Sequence, residues 1–246
     1  MKILYVSLFP KVNNCHETEN LKYFKDSSEY HKISDSFSYR LFTAHDKMLE
    51  NLRSIFPCDG IPEDNIFDFK YNIHSMKLPF DSVYTSNMDE RRAHEIAWCK
   101  QRIYMFMNKA SEFFDYIIYN DADIKIDAKD VYDQCRILNN KNKGYKNRFI
   151  NIPYVIKITK QVVSDSFGSF ILPSTIFEFI NDLTPNLYEV IEDEGVLHRR
   201  YAPDWILRKL LVNEGCVEIR GESFNTKHYI SNVGYYEFDS SKVTYN

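Results

Sequence analysis

The chain has 246 residues, enough for one large α/β domain with a full core or for two small ones. Its 44% hydrophobic and 27% charged residues are the balance of an ordinary globular protein and exclude a disordered or fibrous chain. A net charge of -4 excludes the basic stripe that a nucleic-acid binder presents.

Cys15, Cys58, Cys99, Cys135 and Cys216 are odd in number and form no C-x-x-C pair, which points to reduced thiols and away from zinc. The opening apolar run is too short for a signal h-region or a membrane span, so no transmembrane segment and a cytoplasmic location are expected. No repeat, low-complexity tract or Pro/Gly/Ser linker interrupts the chain, which reads as one domain over 1–246.

Residues 3–9 form the first apolar run and read as a buried parallel strand, with a loop over 7–11 at its carboxyl end. Residues 12–36 are polar and aperiodic, a surface excursion. From Ser38, the positions Leu41, Phe42, His45, Met48, Leu49, Leu52, Ile55 and Phe56 fall at helical spacing, and Pro57-Cys58-Asp59-Gly60 would end that helix. Residues 66–69 read as a second strand and 70–88 as irregular. A long amphipathic helix follows, in which Ile96, Cys99, Ile103, Phe106, Ala110 and Phe113 step by three and four. Glu90, Arg91, Glu95, Arg102, Lys109 and Glu112 take its other face, and Arg92 and Lys100 flank the apolar stripe.

The apolar run over 116–119 reads as another buried strand and ends abruptly in Asp121-Ala122-Asp123. Ligands of open α/β sheets bind just beyond the carboxyl ends of strands. Two carboxylates one residue apart can there reach a single hard cation, Mg2+ or Mn2+, shared with substrate phosphates. Residues 131–138 read as a short helix and 139–147 as a loop. Residues 149–152 and 154–158 read as strands split at Pro153, and 165–172 as a further strand. That strand runs into a helix carrying Ile176, Phe177, Phe179, Ile180 and Leu183, with Ser174 as its N-cap. Glu192-Asp193-Glu194-Gly195 is an acidic cluster. Pro203 and Asp204 open a helix whose apolar residues are Ile206, Leu207, Leu210 and Leu211 and whose end is Glu214-Gly215. Residues 216–219 read as a strand, and the tail beyond it carries Lys227 and His228.

An aliphatic strand running into Asp-x-Asp near mid-chain resembles the metal motif of nucleotide-sugar glycosyltransferases of the GT-A fold. Tyr119-Asn120-Asp121-Ala122-Asp123-Ile124 is close to the Asp-Ala-Asp-Ile form of several of those families. The resemblance covers most of the chain in order: first strand, basic helix, Asp-x-Asp, glycine-containing strand, Asp-Trp helix, late His. It implies an α/β fold, a single GT-A domain with a Rossmann-like, mostly parallel central sheet flanked by helices. Residues up to about 125 would form the nucleotide-sugar-binding half, and those from about 126 the acceptor half. The implied activity is transfer of a hexosyl or deoxyhexosyl group from a UDP- or GDP-sugar to a hydroxyl of a glycan or glycoprotein acceptor. The low glycine count and Asn/Lys/Tyr/Ile richness fit an AT-rich viral or bacterial genome and a surface glycan.

The same resemblance implies roles for individual residues. Asp121, Asp123 and His228 would hold Mn2+ or Mg2+, with Asp123 the more direct ligand. Ser7 and Phe9 would lie against the base, Phe9 stacked on it. Arg92, Lys100, Asp121 and Lys227 would meet the rest of the donor, and Gly168 and Ser169 would let sugar approach the backbone. Asp204 would take the acceptor's proton if the enzyme inverts, kept ionised by the helix N-terminus, with Asp193 as the other candidate. The His-x-x-Gly-x-x-Lys-Pro-Trp signature of retaining, glycogenin-like families is absent, which favours inversion.

Other classes fit less well. A nucleotidyltransferase needs a Gly-rich phosphate loop after the first strand, and the first glycine here is Gly60. A haloacid-dehalogenase-type phosphatase carries Asp-x-Asp on its first strand, usually followed by Thr; Ile124 follows it here. A retaining enzyme of the same fold and a non-enzymatic glycan-binding or structural protein are the remaining alternatives. Metal-dependent nucleotide binding separates the enzyme from the last of these.

Overall fold

A computed structural model describes residues 1–9, 37–44, 46–55, 71–77, 88–121, 124–125, 128–141, 147–152, 154–155, 162–163, 168–180, 203–220 and 228–229. In its seven-stranded sheet, β1 (Ile3–Leu8) pairs in parallel with β2 (Phe37–Thr43) on one side and with β4 (Tyr116–Asn120) on the other. β3 (Tyr71–Ser75) extends the sheet beyond β2, again in parallel. On the far side of β4 come β9 (Ser169–Pro173), β6 (Arg148–Asn151) and β10 (Val217–Arg220). β9 is antiparallel to both β4 and β6, and β10 is parallel to β6. Six of the seven strands therefore run one way and β9 alone opposes them. The mostly parallel α/β sheet expected from the sequence is what forms, and both halves of the chain supply strands to it.

Alternation along the strands builds two cores, because successive side chains point to opposite faces. Leu4, Val6 and Leu8 face one side with Ile117, Tyr119, Phe170 and Leu172. Ile3 and Tyr5 face the other with Ile118, Ile150 and Ile171. The first face is covered by α2 (Met88–Ala110), through Cys99, Ile103, Tyr104, Met107 and Ala110, and by α4 (Pro203–Asn213), through Ile206, Leu207 and Leu211. The second is covered by α1 (Asp46–Ile55), through Leu52, and by α3 (Ala128–Lys141), through Val131, Cys135 and Leu138. Burial on both faces is why the strands read as continuous apolar runs.

Two short pairs lie outside the main sheet. β5 (Ile124–Lys125) pairs antiparallel with β11 (His228–Tyr229), and β7 (Tyr154–Val155) with β8 (Val162–Val163). Among the described residues, no helix is long and apolar enough to cross a membrane.

The structure corrects several boundaries. The helix expected from Ser38 is a strand over Phe37–Thr43 followed by α1, so the helical spacing of Leu41 to Leu52 ran across two elements. The alternation of Phe37, Tyr39 and Leu41 was the truer signal: all three are buried on one face. The stretch expected to be irregular contains β3. α3 continues to Lys141, past the expected start of the loop. Residues 174–178 form a short 3-10 turn rather than a capped helix, with Pro173 at the N-cap position. The Ser174 hydroxyl donates instead to the Phe114 carbonyl, fastening that turn to the residues before β4. The expected strand over 66–69 lies outside the described residues.

Candidate active site

The strand order places a crevice before any side chain is considered. From β1 the chain proceeds to β2 and β3 in one direction, then returns to lay β4 on β1's other side. The carboxyl ends of β1 and β4 are thus the point where the order reverses, the place where open α/β sheets bind ligands. β9 enters the same edge from the opposite direction. The Asp121 N–H donates to the Gly168 carbonyl at 2.9 Å, which pins the residue after β4 to the start of β9.

Three chain segments deliver charged groups to this edge. Lys100 stands on α2, Asp121 follows β4, and Asp204 sits in the first turn of α4. Lys100 Nζ lies 2.9 Å from Asp121 Oδ1 and 2.5 Å from Asp204 Oδ2. One ammonium therefore bridges two carboxylates from distant parts of the chain. Each carboxylate also receives a phenol: Tyr119 Oη donates to Asp121 Oδ1 at 2.7 Å, and Tyr104 Oη donates to Asp204 Oδ1. Tyr104 is one helical turn beyond Lys100, so the pair shares a face of α2. The rings of Tyr104 and Tyr119 meet edge to face, and Phe170 stacks on Tyr119. The Lys100 ammonium also lies 5.3 Å from the Tyr119 ring centroid, within cation–π range.

The cluster is closed at the lysine and open at the acids. The Lys100 side chain is 7% exposed, against 27% for Asp121 and 20% for Asp204. Burial alone would lower the Lys100 pKa, but Asp121 and Asp204 more than offset it and hold the ammonium charged. The Asp204 carboxyl is pushed up, first by burial and then by Asp121, with Lys100 and Tyr104 pulling back down. Beside the helix N-terminus, Lys100 is the cation that draws the Asp204 carboxyl back down against burial. Burial first, and then the carboxylates, push both phenols well up, so Tyr104 and Tyr119 stay protonated and donate to the two carboxylates.

On the opposite face of the sheet a neutral network holds the same strand ends. Ser7 Oγ donates to the Asn120 carbonyl at 2.7 Å, and Asn120 Nδ2 donates to Tyr5 Oη at 2.9 Å. Ser7, Tyr5 and Asn120 are all at most 1% exposed. Ser7 is therefore committed to fixing β4 against β1. Phe9 is 1% exposed and packed in the core of that same face, so a base could stack on its ring only if the ring were first uncovered. Ser169 is fully buried, and Gly168 before it is buried too, with its carbonyl taken by the Asp121 N–H.

Of the residues singled out from sequence, Lys100, Asp121 and Asp204 come together. Arg92 is on α2, with its side chain outside the described residues. Asp123, Asp193 and Lys227 lie wholly outside them. His228 is placed by its backbone: β11 pairs with β5 so that His228 stands opposite Lys125 and Tyr229 opposite Ile124. The late histidine is thus on a strand bound to the residues just past Asp-x-Asp. Tyr104 and Tyr119 were not singled out. The one-turn spacing from Lys100 and the position two before Asp121 were their only sequence signals.

A hard divalent cation suits Asp121 by donor type and partial exposure. Among the described residues, however, no group of three His, Cys, Asp or Glu could hold a metal ion, and the Asp121 charge is already met by Lys100.

No protein-family model and no curated protein sequence matches the chain. Solved structures do. A CMP:2-keto-3-deoxy-manno-octonic acid synthetase complexed with CTP aligns over 89% of this chain and 90% of its own, at 9% identity and a TM-score of 0.44. A Desulfovibrio desulfuricans G20 protein assigned as a nucleotide-diphospho-sugar transferase covers 89% and 80%, at 10% identity and 0.40. A glycosyltransferase involved in glycosylation of the major capsid of PBCV-1 covers 89% and 81%, at 8% identity and 0.40. The fold itself is established by strand order and register; at these values the similarities assign no residue a role.

Proposed function

We propose that the chain is a nucleotide-sugar-dependent glycosyltransferase, with its donor diphosphate at the carboxyl ends of β1 and β4 and its acceptor hydroxyl against Asp204. The observation that carries this reading is the convergence of Asp121 and Asp204 on one buried lysine at the strand-order reversal. The site reads as GT-A in kind, using a UDP- or GDP-sugar and Mn2+ or Mg2+. Asp121, Asp123 and His228 form the proposed cation set. A bound divalent cation would neutralise charge on the departing diphosphate.

Asp204 is the proposed base for an inverting transfer. Its two oxygens already accept from Lys100 and Tyr104, and each keeps a second lone pair for an acceptor hydroxyl. As the acceptor oxygen bonds to the anomeric carbon, its proton passes to Asp204 and the bond to the nucleoside diphosphate breaks. A carboxylate raised by burial yet held ionised by Lys100 is better matched to that proton transfer than an ordinary exposed aspartate. Tyr104 and Lys100 fix the orientation of the carboxylate. The acceptor would be a glycan or glycoprotein hydroxyl.

Calorimetry with UDP and GDP in MnCl2, on wild type, Asp121→Asn and Asp123→Ala, tests the reading. Saturable binding of one nucleotide, weakened at least about tenfold by either substitution, supports it. Absence of binding for both nucleotides, with and without Mn2+, refutes a UDP- or GDP-sugar transferase.

A further inference from the structure

We infer that Glu218 is a positioning residue for Asp204: it holds the Arg208 guanidinium against β10 and so keeps a second cation off the carboxylate that Lys100 already bridges. The inference rests on the reading of Asp204 as base and adds what sets the ion pairing of that carboxylate. Arg208 follows Asp204 by one helical turn on α4, so the two share a face of the helix. Helical side chains lean toward the helix N-terminus, which carries a long side chain at this spacing over the turn before it. An arginine so placed would close on Asp204. Its Nε–H goes elsewhere: Arg208 Nε donates to Glu218 Oε2 at 2.8 Å.

Glu218 can hold the arginine because its own place is fixed from the other side. Asn151 Nδ2 donates to Glu218 Oε1 at 2.9 Å, which clamps the carboxylate between the end of β6 and α4. In the register of β10 on β6, Glu218 stands opposite Phe149, a residue of the first core. A carboxylate on the buried side of a strand is costly unless it is paired. The Arg208 and Glu218 side chains are 20% and 13% exposed, so their pair is sheltered from the solvent screening that weakens surface pairs. The charged and titratable groups around Asp204 are Lys100 and Tyr104 from α2, Asp121 beyond β4, and Arg208 on α4 itself. A guanidinium closing on Asp204 would fill the lone pair meant for the acceptor hydroxyl and weaken the carboxylate's hold on a proton, and a base needs both. Glu218 prevents this by acting through Arg208.

The test is a double-mutant cycle of Arg208→Gln and Asp204→Asn in urea unfolding of the full chain, run once with Glu218 in place and once with Glu218→Gln. It reads ion pairing with neither donor nor acceptor present, so its outcome is separate from that of the transferase reading. With Glu218 in place, the coupling between the two positions should change the unfolding constant by less than about twofold. With Glu218→Gln it should reach at least about threefold, as Arg208 turns to Asp204. A brace that served stability alone would weaken the Glu218→Gln protein without creating that coupling. A coupling below about threefold in Glu218→Gln therefore overturns the inference, as does one above about twofold with Glu218 present. The expected pattern together with no nucleotide binding would keep the pairing and refute the transferase reading. If Glu218→Gln does not fold, isotope-edited NMR of the Arg208 Nε–H decides the matter. Its signal, assigned by its loss in Arg208→Gln, should keep its position and its slow exchange in Asp204→Asn. A displaced signal or faster exchange overturns the inference.

Discussion

His74 lies at the carboxyl end of β3, on the first face of the sheet, with its ring stacked on Phe42 at 4.6 Å and tilted against Phe106 at 5.3 Å. Burial, and then the charge of Arg40, lower its pKa from 6.5 to about 4. Below pH 6.5 the unfolded chain binds a proton at this histidine that the folded chain refuses until about pH 4. The unfolded state is then the better proton binder, so this group makes stability fall as pH falls through that window. Between pH 7 and pH 5 the loss comes to about 2 kcal/mol, and the full shift corresponds to about 3 kcal/mol. Urea denaturation of wild type and His74→Phe at pH 7 and pH 5 reads it directly. Phenylalanine keeps a ring between Phe42 and Phe106 but cannot titrate. The decisive quantity is the pH difference within each protein, not their absolute stabilities. Wild type should lose about 2 kcal/mol more than His74→Phe on going to pH 5. Equal losses in the two proteins would mean that His74 is not held neutral and that its stacking does not exclude the charged form.

A double-mutant cycle on Lys100→Met and Asp204→Asn should return a coupling of about 2 kcal/mol in denaturant unfolding, because Lys100→Met leaves the Asp204 carboxylate without its cation, a cost that is absent once residue 204 is already neutral. A coupling below about 0.5 kcal/mol would show that the 2.5 Å contact is not maintained in solution. Gly215 ends α4 at φ +79°, its N–H donating to the Val212 carbonyl, and an added Cβ there meets nothing within 4 Å. Gly215→Ala should therefore cost about 1 kcal/mol, from backbone strain alone, and a thermal melt indistinguishable from wild type would contradict that conformation.

The parts of the fold legible in the sequence were those with one dominant period and a clear stop. β1 and β4 are short apolar runs buried on both faces, α2 carries about four turns of apolar steps, and α4 opens on Pro203 and Asp204. β2 was read as helix because Leu41 and Phe42 fall in phase with Met48, Leu49 and Leu52 of the next element. Position alone does not separate a strand that abuts a helix. β3 was missed because Asn72 and His74 interrupt it with polar groups. On α2 the expected stripe is buried at Cys99, Ile103 and Ala110, but Phe113 lies past the helix end and is 47% exposed, while Tyr104, Met107, Glu95 and Lys100 are buried as well. Lys100 reads as a solvated flank in any local window. Its burial becomes tolerable only through carboxylates 21 and 104 residues away, and no spacing rule reaches that far.

That separation has a consequence for how the protein comes into being. Lys100 and Asp121 belong to one hairpin-like stretch of α2 and β4, and can meet as soon as both are made. At that stage they form a neutral one-to-one pair. Asp204 joins only after a further excursion through β6 and β9, and its arrival leaves the trio with one negative charge in excess. The strand that carries His228 comes later still, closing on β5 across about a hundred residues. During synthesis at about 5–20 residues per second, the chain would pass several seconds with its central sheet forming and Asp204 not yet made. A nascent chain or a fragment ending before α4 would thus carry the Lys100–Asp121 pair without Asp204. The completed Lys100 cluster is a late-arriving property of this polypeptide, gained when α4 docks and not when the sheet closes.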